Sequence, residues 1–193
     1  MDVARGQAAL ARLMADGALR RRFLADPAAA AAELSLAPAD AAALAATAGE
    51  GIRRFAVSLE RKRRGGVAFH LPLSRRALGA TWVPVFARYV DAVAGAATYR
   101  DDAARFARWL ASLPPHDDVP AWLADLAAFE VARGVFVDPR RRLSLRRFRY
   151  PVAKIAREVD AGAVPDGVSP RTTLVAWVRW RAGGPVRTWC RPG

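Results

Sequence analysis

Two periodicities divide the chain. From Val3 to about Gly134 apolar residues recur at three- and four-residue spacing, the pattern of helices with one buried face, whereas beyond Gly134 they alternate with polar residues as strands do. Val3, Leu10, Leu13 and Met14 form a first helical stripe, which Leu19, Phe23 and Leu24 continue after Gly17. Asp26-Pro27 predicts a helix start, with Asp26 as N-cap and Pro27 at the first helical position. A longer helix is predicted from near Pro38, where Asp40 meets the positive end of the helix dipole. Leu44, Ala48, Ile52, Phe55 and Leu59 share one face of it. Arg61-Lys62-Arg63-Arg64 sit at its electronegative end, and Gly65-Gly66 is its expected stop. Val67 to Leu73 then reads as a short apolar connector.

A second helical group begins at Trp82, which shares a stripe with Val85, Phe86, Tyr89 and Val93. Another helix carries Phe106, Trp109, Leu110 and Leu113, and a third, opened by Pro120, carries Trp122, Leu123, Leu126 and Phe129. Three aromatic-rich amphipathic helices so close in sequence are expected to pack as one bundle.

In the last third, Leu143 and Leu145 fall on one strand face and Phe148 and Tyr150 on the other, so a bulge or twisted edge is expected near Arg146-Arg147. Thr172 to Arg181 is the clearest strand. Leu174, Ala176, Val178 and Trp180 share one face, the expected core, and Val175, Trp177, Arg179 and Arg181 the other. A two-residue Gly183-Gly184 turn would place Trp180 opposite Arg187 and Val178 opposite Trp189. The patterns therefore predict an α+β fold in three parts: a helical module over 1–64, a central helical bundle over 65–136, and a small antiparallel β unit over 137–193.

Charge changes this picture. Of a net +13 over 193 residues, +10 lies between Arg140 and Gly193, where thirteen Lys/Arg face Glu158, Asp160 and Asp166 alone. A one-signed field of this kind steers association with an anionic or peptide partner without defining a fold. Cys190 is the single cysteine, which rules out an intrachain disulfide and fits a reducing cytoplasm. No run approaches the roughly 18 apolar residues of a membrane span, and the start lacks a secretory pattern, so a soluble cytoplasmic protein with no membrane association is expected.

Catalytic motifs are absent: no phosphate-binding loop, dinucleotide fingerprint or histidine pair at helical spacing occurs. His70, between Phe69 and Leu71, reads as a packed or capping residue, and His116, beside Asp117 and Asp118, as a loop residue. With two histidines and one cysteine the chain is not expected to be an enzyme or to hold a cofactor of its own. Glu130 adjoins the apolar face of its helix and reads either as a buried carboxylate paired with an arginine or as a contact to a partner protein, together with Trp122 and Asp125. Arg140 to Arg142, Arg146, Arg147 and Arg149 interleave with Phe148 and Tyr150 as a nucleic-acid surface would. No recognition helix accompanies them, and arginine-rich edges also discourage unwanted strand pairing.

The stretch Pro120-Ala121-Trp122-Leu123-Ala124-Asp125-Leu126-Ala127-Ala128-Phe129-Glu130 resembles the "pyLadlArlE" helix of a bacterial family often labelled DNA-binding, whose members are commonly encoded beside multinuclear non-heme iron oxygenases that modify ribosomally made peptides. Trp82-Val83-Pro84-Val85-Phe86, Phe148-Arg149-Tyr150-Pro151-Val152-Ala153 and Leu174-Val175-Ala176-Trp177-Val178-Arg179 are similar to further motifs of that family. The N-terminal third, with Leu19-Arg20, Phe23-Leu24, Asp26-Pro27 and Leu36-Ala37-Pro38, resembles a small helical module of dioxygenase small subunits. The resemblance implies a non-catalytic partner subunit. Its helices would dock on the iron-dependent oxygenase, which keeps the iron, and its β unit would receive the leader of a precursor peptide. A sheet edge can take such a peptide as one more strand. The expected docking residues are Leu143, Leu145, Arg147 and Arg149 on one strand and Val175, Trp177, Arg179 and Arg181 on the other. A DNA-binding regulator and a structural dioxygenase subunit are the alternatives.

Overall fold

The computed structural model of the chain describes residues 2–114 and 118–192 and has the expected α+β architecture. In chain order it comprises α1 (Val3–Ala15), α2 (Gly17–Ala25), α3 (Pro38–His70), α4 (Pro72–Leu78), α5 (Trp82–Ala92), α6 (Tyr99–Ser112), α7 (Leu123–Gly134), β1 (Leu143–Phe148), α8 (Val152–Asp160), β2 (Thr173–Val178) and β3 (Arg187–Pro192). The chain forms two units, 1–62 and 63–193, and the division falls inside α3. No helix among the described residues is long and apolar enough to cross a membrane.

In the first unit, Asp16 ends α1 and caps α2, its Oδ1 accepting from the amides of Ala18 and Leu19 at 2.9 Å. Leu13, Leu19, Phe23, Leu34, Leu36, Leu44 and Ile52 form the core. The helix expected after Asp26 is only a turn followed by a 3₁₀ segment, Ala32–Leu34. Asp26 still caps the turn, accepting from Ala29 N at 3.0 Å. Ser35, at φ 56°, then reverses the chain so that both Leu34 and Leu36 are buried.

Helix α3 does not stop at Gly65-Gly66 but runs on to His70. Two helical glycines cost about 2 kcal/mol relative to alanine, and burial of Val67, Ala68 and Leu71 outweighs that. Gly66 is needed where it stands, because a Cβ there would overlap the Tyr99 ring. The helix ends where Pro72, which cannot continue its hydrogen-bond ladder, opens α4. His70, its last residue, packs edge-on against Phe69, and burial together with the charge of Arg100 lowers its pKa.

The second unit has one core. Trp82, Phe86, Tyr89, Phe106 and Trp109 pack in edge-on and tilted pairs, with Phe106 and Trp109 stacked, at ring-centroid distances of 5.1–5.7 Å. Phe129 of α7 meets Trp177 of β2 at 5.4 Å and Phe148 of β1 at 6.1 Å. The segments expected as separate parts, 65–136 and 137–193, therefore share a hydrophobic cluster. Helix α8 was not expected. Its Val152, Ile155, Ala156 and Val159 are buried at i, i+3, i+4 and i+7, and Arg76 of α4 caps its C-terminus through the carbonyls of Val159 and Asp160.

The sheet is antiparallel, in the order β1-β2-β3. Leu143 lies opposite Val178, Leu145 opposite Ala176 and Arg147 opposite Leu174, continuously and without a bulge at Arg146-Arg147. In the hairpin, Val178 pairs with Arg187 and Ala176 with Trp189, two residues away from the register a Gly183-Gly184 turn would impose. The connection is longer because β2 ends at Val178, and Trp180 lies outside the ladder. The buried and exposed faces of β2 are also the reverse of expectation: Val175 and Trp177 are fully buried, whereas Leu174 and Trp180 are exposed.

Candidate binding site: the outer face and free edge of the sheet

Register and burial together assign the two sheet faces. Thr173, Val175 and Trp177 of β2 and Phe148 of β1 point into the core. The opposite face presents Leu143, Leu145 and Arg147 from β1, Leu174, Ala176 and Val178 from β2, and Arg187, Trp189 and Arg191 from β3. Leu143 and Leu145 are 64% and 63% exposed, and Trp189 is 46% exposed. This face is an apolar strip bordered by three guanidinium groups. Single exposed leucines are ordinary, but a contiguous apolar strip with a charged rim marks an interaction surface.

Backbone geometry adds a second feature. Arg179 N donates to Arg142 O at 2.8 Å, which fixes the phase of the antiparallel ladder. Alternate residues of β1, Arg142, Ser144, Arg146 and Phe148, then turn their N–H and C=O groups toward β2. The corresponding groups of Leu143, Leu145 and Arg147 point to the other edge, where no strand of the described residues lies. The outer edge of β3 is poorer in donors, since Pro192 has no N–H. Six consecutive residues ending without proline make β1 the better template for an added strand.

The residues expected from the sequence divide accordingly. Leu143, Leu145 and Arg147 lie together on the exposed face. Arg149 follows β1 and stands over the Tyr150 ring at 5.7 Å, on the rim of a shallow cleft that also includes Asp125 and Leu113. Val175 and Trp177 are core residues, and β2 is the central strand, covered on both edges by the chain itself, so it is no docking edge. Arg179 is 8% exposed and donates to the carbonyls of Gly184, Asp138 and Phe136 at 3.0, 2.6 and 2.5 Å. It latches the fold and offers no charge to a ligand. Arg181 is exposed in the β2–β3 connection. The face also contains six residues that the sequence places in the core or leaves without a binding role: Leu174, Ala176, Val178, Arg187, Trp189 and Arg191. The signal for them was the end of β2 before Arg179, which removes the arginines from the Val175 and Trp177 face.

The expected partner contacts on α7 also have internal roles. Trp122 is 3% exposed and belongs to the core. Asp125 accepts from Tyr150 N at 2.8 Å and ties the exit of β1 to α7, while burial raises its pKa. Among the described residues Glu130 pairs with no arginine at hydrogen-bond distance. Its carboxylate accepts from Leu73 N at 2.7 Å, Ser74 N at 2.9 Å and Ser74 Oγ at 2.6 Å, capping the first turn of α4 from another helix. Burial raises the Glu130 pKa, and the bonds from Ser74 and Leu73 offset part of the rise. Because the folded value exceeds the unfolded one, near 4.5, the folded state holds the proton more tightly. The contribution of Glu130 should thus be greatest below pH 4.5 and decline as pH rises through the folded value. The difference in unfolding free energy between the parent and Glu130→Gln, followed by urea titration from pH 4 to 8, should fall with that sign. A difference that grows with pH would contradict it.

Among the described residues no three His, Cys, Asp or Glu side chains converge on one point, and His116 and Asp117 lie outside the described residues. Residues 40–112, from the start of α3 to the end of α6, match the family model described as SCO6045-like, C-terminal domain, and the three strands lie outside that match. No curated protein and no solved structure matches the chain.

Proposed function

We propose that the protein is a non-catalytic recognition subunit that holds an acidic, partly apolar peptide against β1 and presents it to a multinuclear non-heme iron oxygenase, the iron belonging to that partner. One observation carries the reading: an apolar strip rimmed by arginines adjoins a sheet edge that no other strand of the described residues covers. Added-strand binding draws affinity from main-chain bonds and selectivity from alternate side chains, and cationic borders select acidic sequences. The oxygenase and the precursor peptide enter through the resemblance of the α7, β1–α8 and β2 segments to oxygenase partner proteins.

Fluorescence anisotropy with a labelled acidic peptide tests the binding step. Saturable binding should weaken as salt rises, and Leu145→Glu should reduce affinity about tenfold, a loss near 1.4 kcal/mol, while leaving the unfolding midpoint in place, as expected for an exposed position. Equal affinities of parent and variant would remove the outer face from the site. Co-purification with an iron oxygenase tests the presentation step.

The exposed indoles of Trp180 and Trp189 among arginines favour a second reading, single-stranded nucleic acid stacked on the sheet. Tighter binding of an oligothymidine than of the acidic peptide at 200 mM salt would select it.

A further inference from the structure

We infer that the β1 edge selects a particular order of residues in its ligand: two adjacent acidic residues, then an apolar, a polar and an apolar residue, running antiparallel to β1. The inference rests on the peptide-capture reading above and specifies its ligand.

The order follows from the ladder. An added antiparallel strand would exchange hydrogen bonds with Leu143, Leu145 and Arg147, whose main-chain groups face that edge. Side chains directly opposite one another in such a pair lie close together on the same face, so each residue of β1 selects its neighbour. Leu143 and Leu145, exposed on the outer face, call for apolar residues two apart, which extend the strip formed with Ala176, Val178 and Trp189. Arg147, next on that face, calls for an acid. On the other face the ligand lies opposite Arg146 and Ser144. Among the described residues no carboxylate pairs with Arg146 or Arg147, and both are exposed. A polar residue suits Ser144 and a second acid suits Arg146. Read from its own N-terminus, the ligand meets Arg147, Arg146, Leu145, Ser144 and Leu143 in turn. A basic or uniformly apolar strand would set like charges together or leave both guanidinium groups unmatched, and the +10 of the C-terminal region disfavours a second copy of this chain as the occupant.

The test uses the full chain and two fluorescein-labelled synthetic peptides of equal composition, one containing Glu-Glu-Val-Thr-Val and one with the same five residues as Val-Glu-Thr-Glu-Val, both flanked by Gly-Ser. The ordered peptide should bind about tenfold more tightly, because several cross-strand preferences act together. The double variant Arg146→Glu and Arg147→Glu should lose the ordered peptide and gain affinity for its Lys-Lys-Val-Thr-Val counterpart, a reversal that a misfolded variant cannot give. Equal binding of the two acidic peptides by the parent protein overturns the order and leaves acidic-peptide capture standing. Failure of the parent to bind either overturns both.

Discussion

Replacing Asp102 with alanine should lower the unfolding free energy by about 3–5 kcal/mol, the range found when one member of a buried ion pair is removed. Asp102 is 2% exposed and lies at the start of α6. Arg63 grips it with two bonds, Nε to Oδ2 at 2.6 Å and Nη2 to Oδ1 at 2.9 Å, while Nη2 also reaches Val93 O at 3.0 Å. Tyr89 donates its hydroxyl to Oδ1 at 2.5 Å, and its ring lies under the guanidinium at 4.8 Å. Burial opposes the Arg63 charge and the carboxylate outweighs it, so its pKa is held above the usual value; burial and then Asp102 raise that of Tyr89. One carboxylate thus joins the end of α3 to α5 and α6. Its removal strands a cation that is 16% exposed and a phenol that is fully buried. Tyr89→Phe removes a single donor and should cost about 1–2 kcal/mol. The double change Arg63→Met with Asp102→Leu should recover much of the loss, because apolar residues of similar size replace a buried pair at little cost. Urea unfolding of the four proteins measures all three values. A loss below 1 kcal/mol in the alanine variant would show that the network contributes little.

The helices were legible because each carries a one-sided apolar stripe long enough to fix its phase. Val85, Phe86 and Tyr89 are fully buried, as their spacing requires, and so are Phe106, Leu123 and Leu126. Failures came where a local signal competed with packing. Gly65-Gly66 is a sound stop locally, but Val67 and Leu71 gain more from burial along a continued helix than the glycines cost. The helical stripe of α8 is only nine residues long and lies in a segment whose composition suggests strands. In β2 both faces are apolar, so alternation alone could not choose between them. Arg179 and Arg181 made the Val175 and Trp177 face look polar, yet both lie beyond the strand. Of the candidate site, Leu143, Leu145 and Arg147 could be read from alternation in β1. Their relation to Trp189 and Arg187 depended on a hairpin register set by the long connection after Val178.

Arg179→Glu should be as damaging as the Asp102 change, about 3–5 kcal/mol, although among the described residues Arg179 has no carboxylate partner at hydrogen-bond distance. Its guanidinium spends its donors on three carbonyls from separate segments: Phe136 after α7, Asp138 on the approach to β1, and Gly184 in the β2–β3 connection. It also lies 5.9 Å from the Phe136 ring centroid. A carboxylate in that place would face three acceptors with no donor of its own in a largely dry site, the arrangement most costly to bury. Arg179→Lys would keep the charge but not the planar fork and should cost about 1–3 kcal/mol. Arg181→Glu, at an exposed position two residues on, should stay within about 0.5 kcal/mol of the parent. Charge reversal at Arg179 would therefore reduce peptide capture by reducing the folded fraction. Reversal at Arg147 would reduce capture at full stability. Thermal unfolding and peptide titration on the parent and these four variants separate the two effects: an Arg179→Glu variant that keeps its unfolding midpoint yet loses the peptide would move Arg179 from the latch to the binding face.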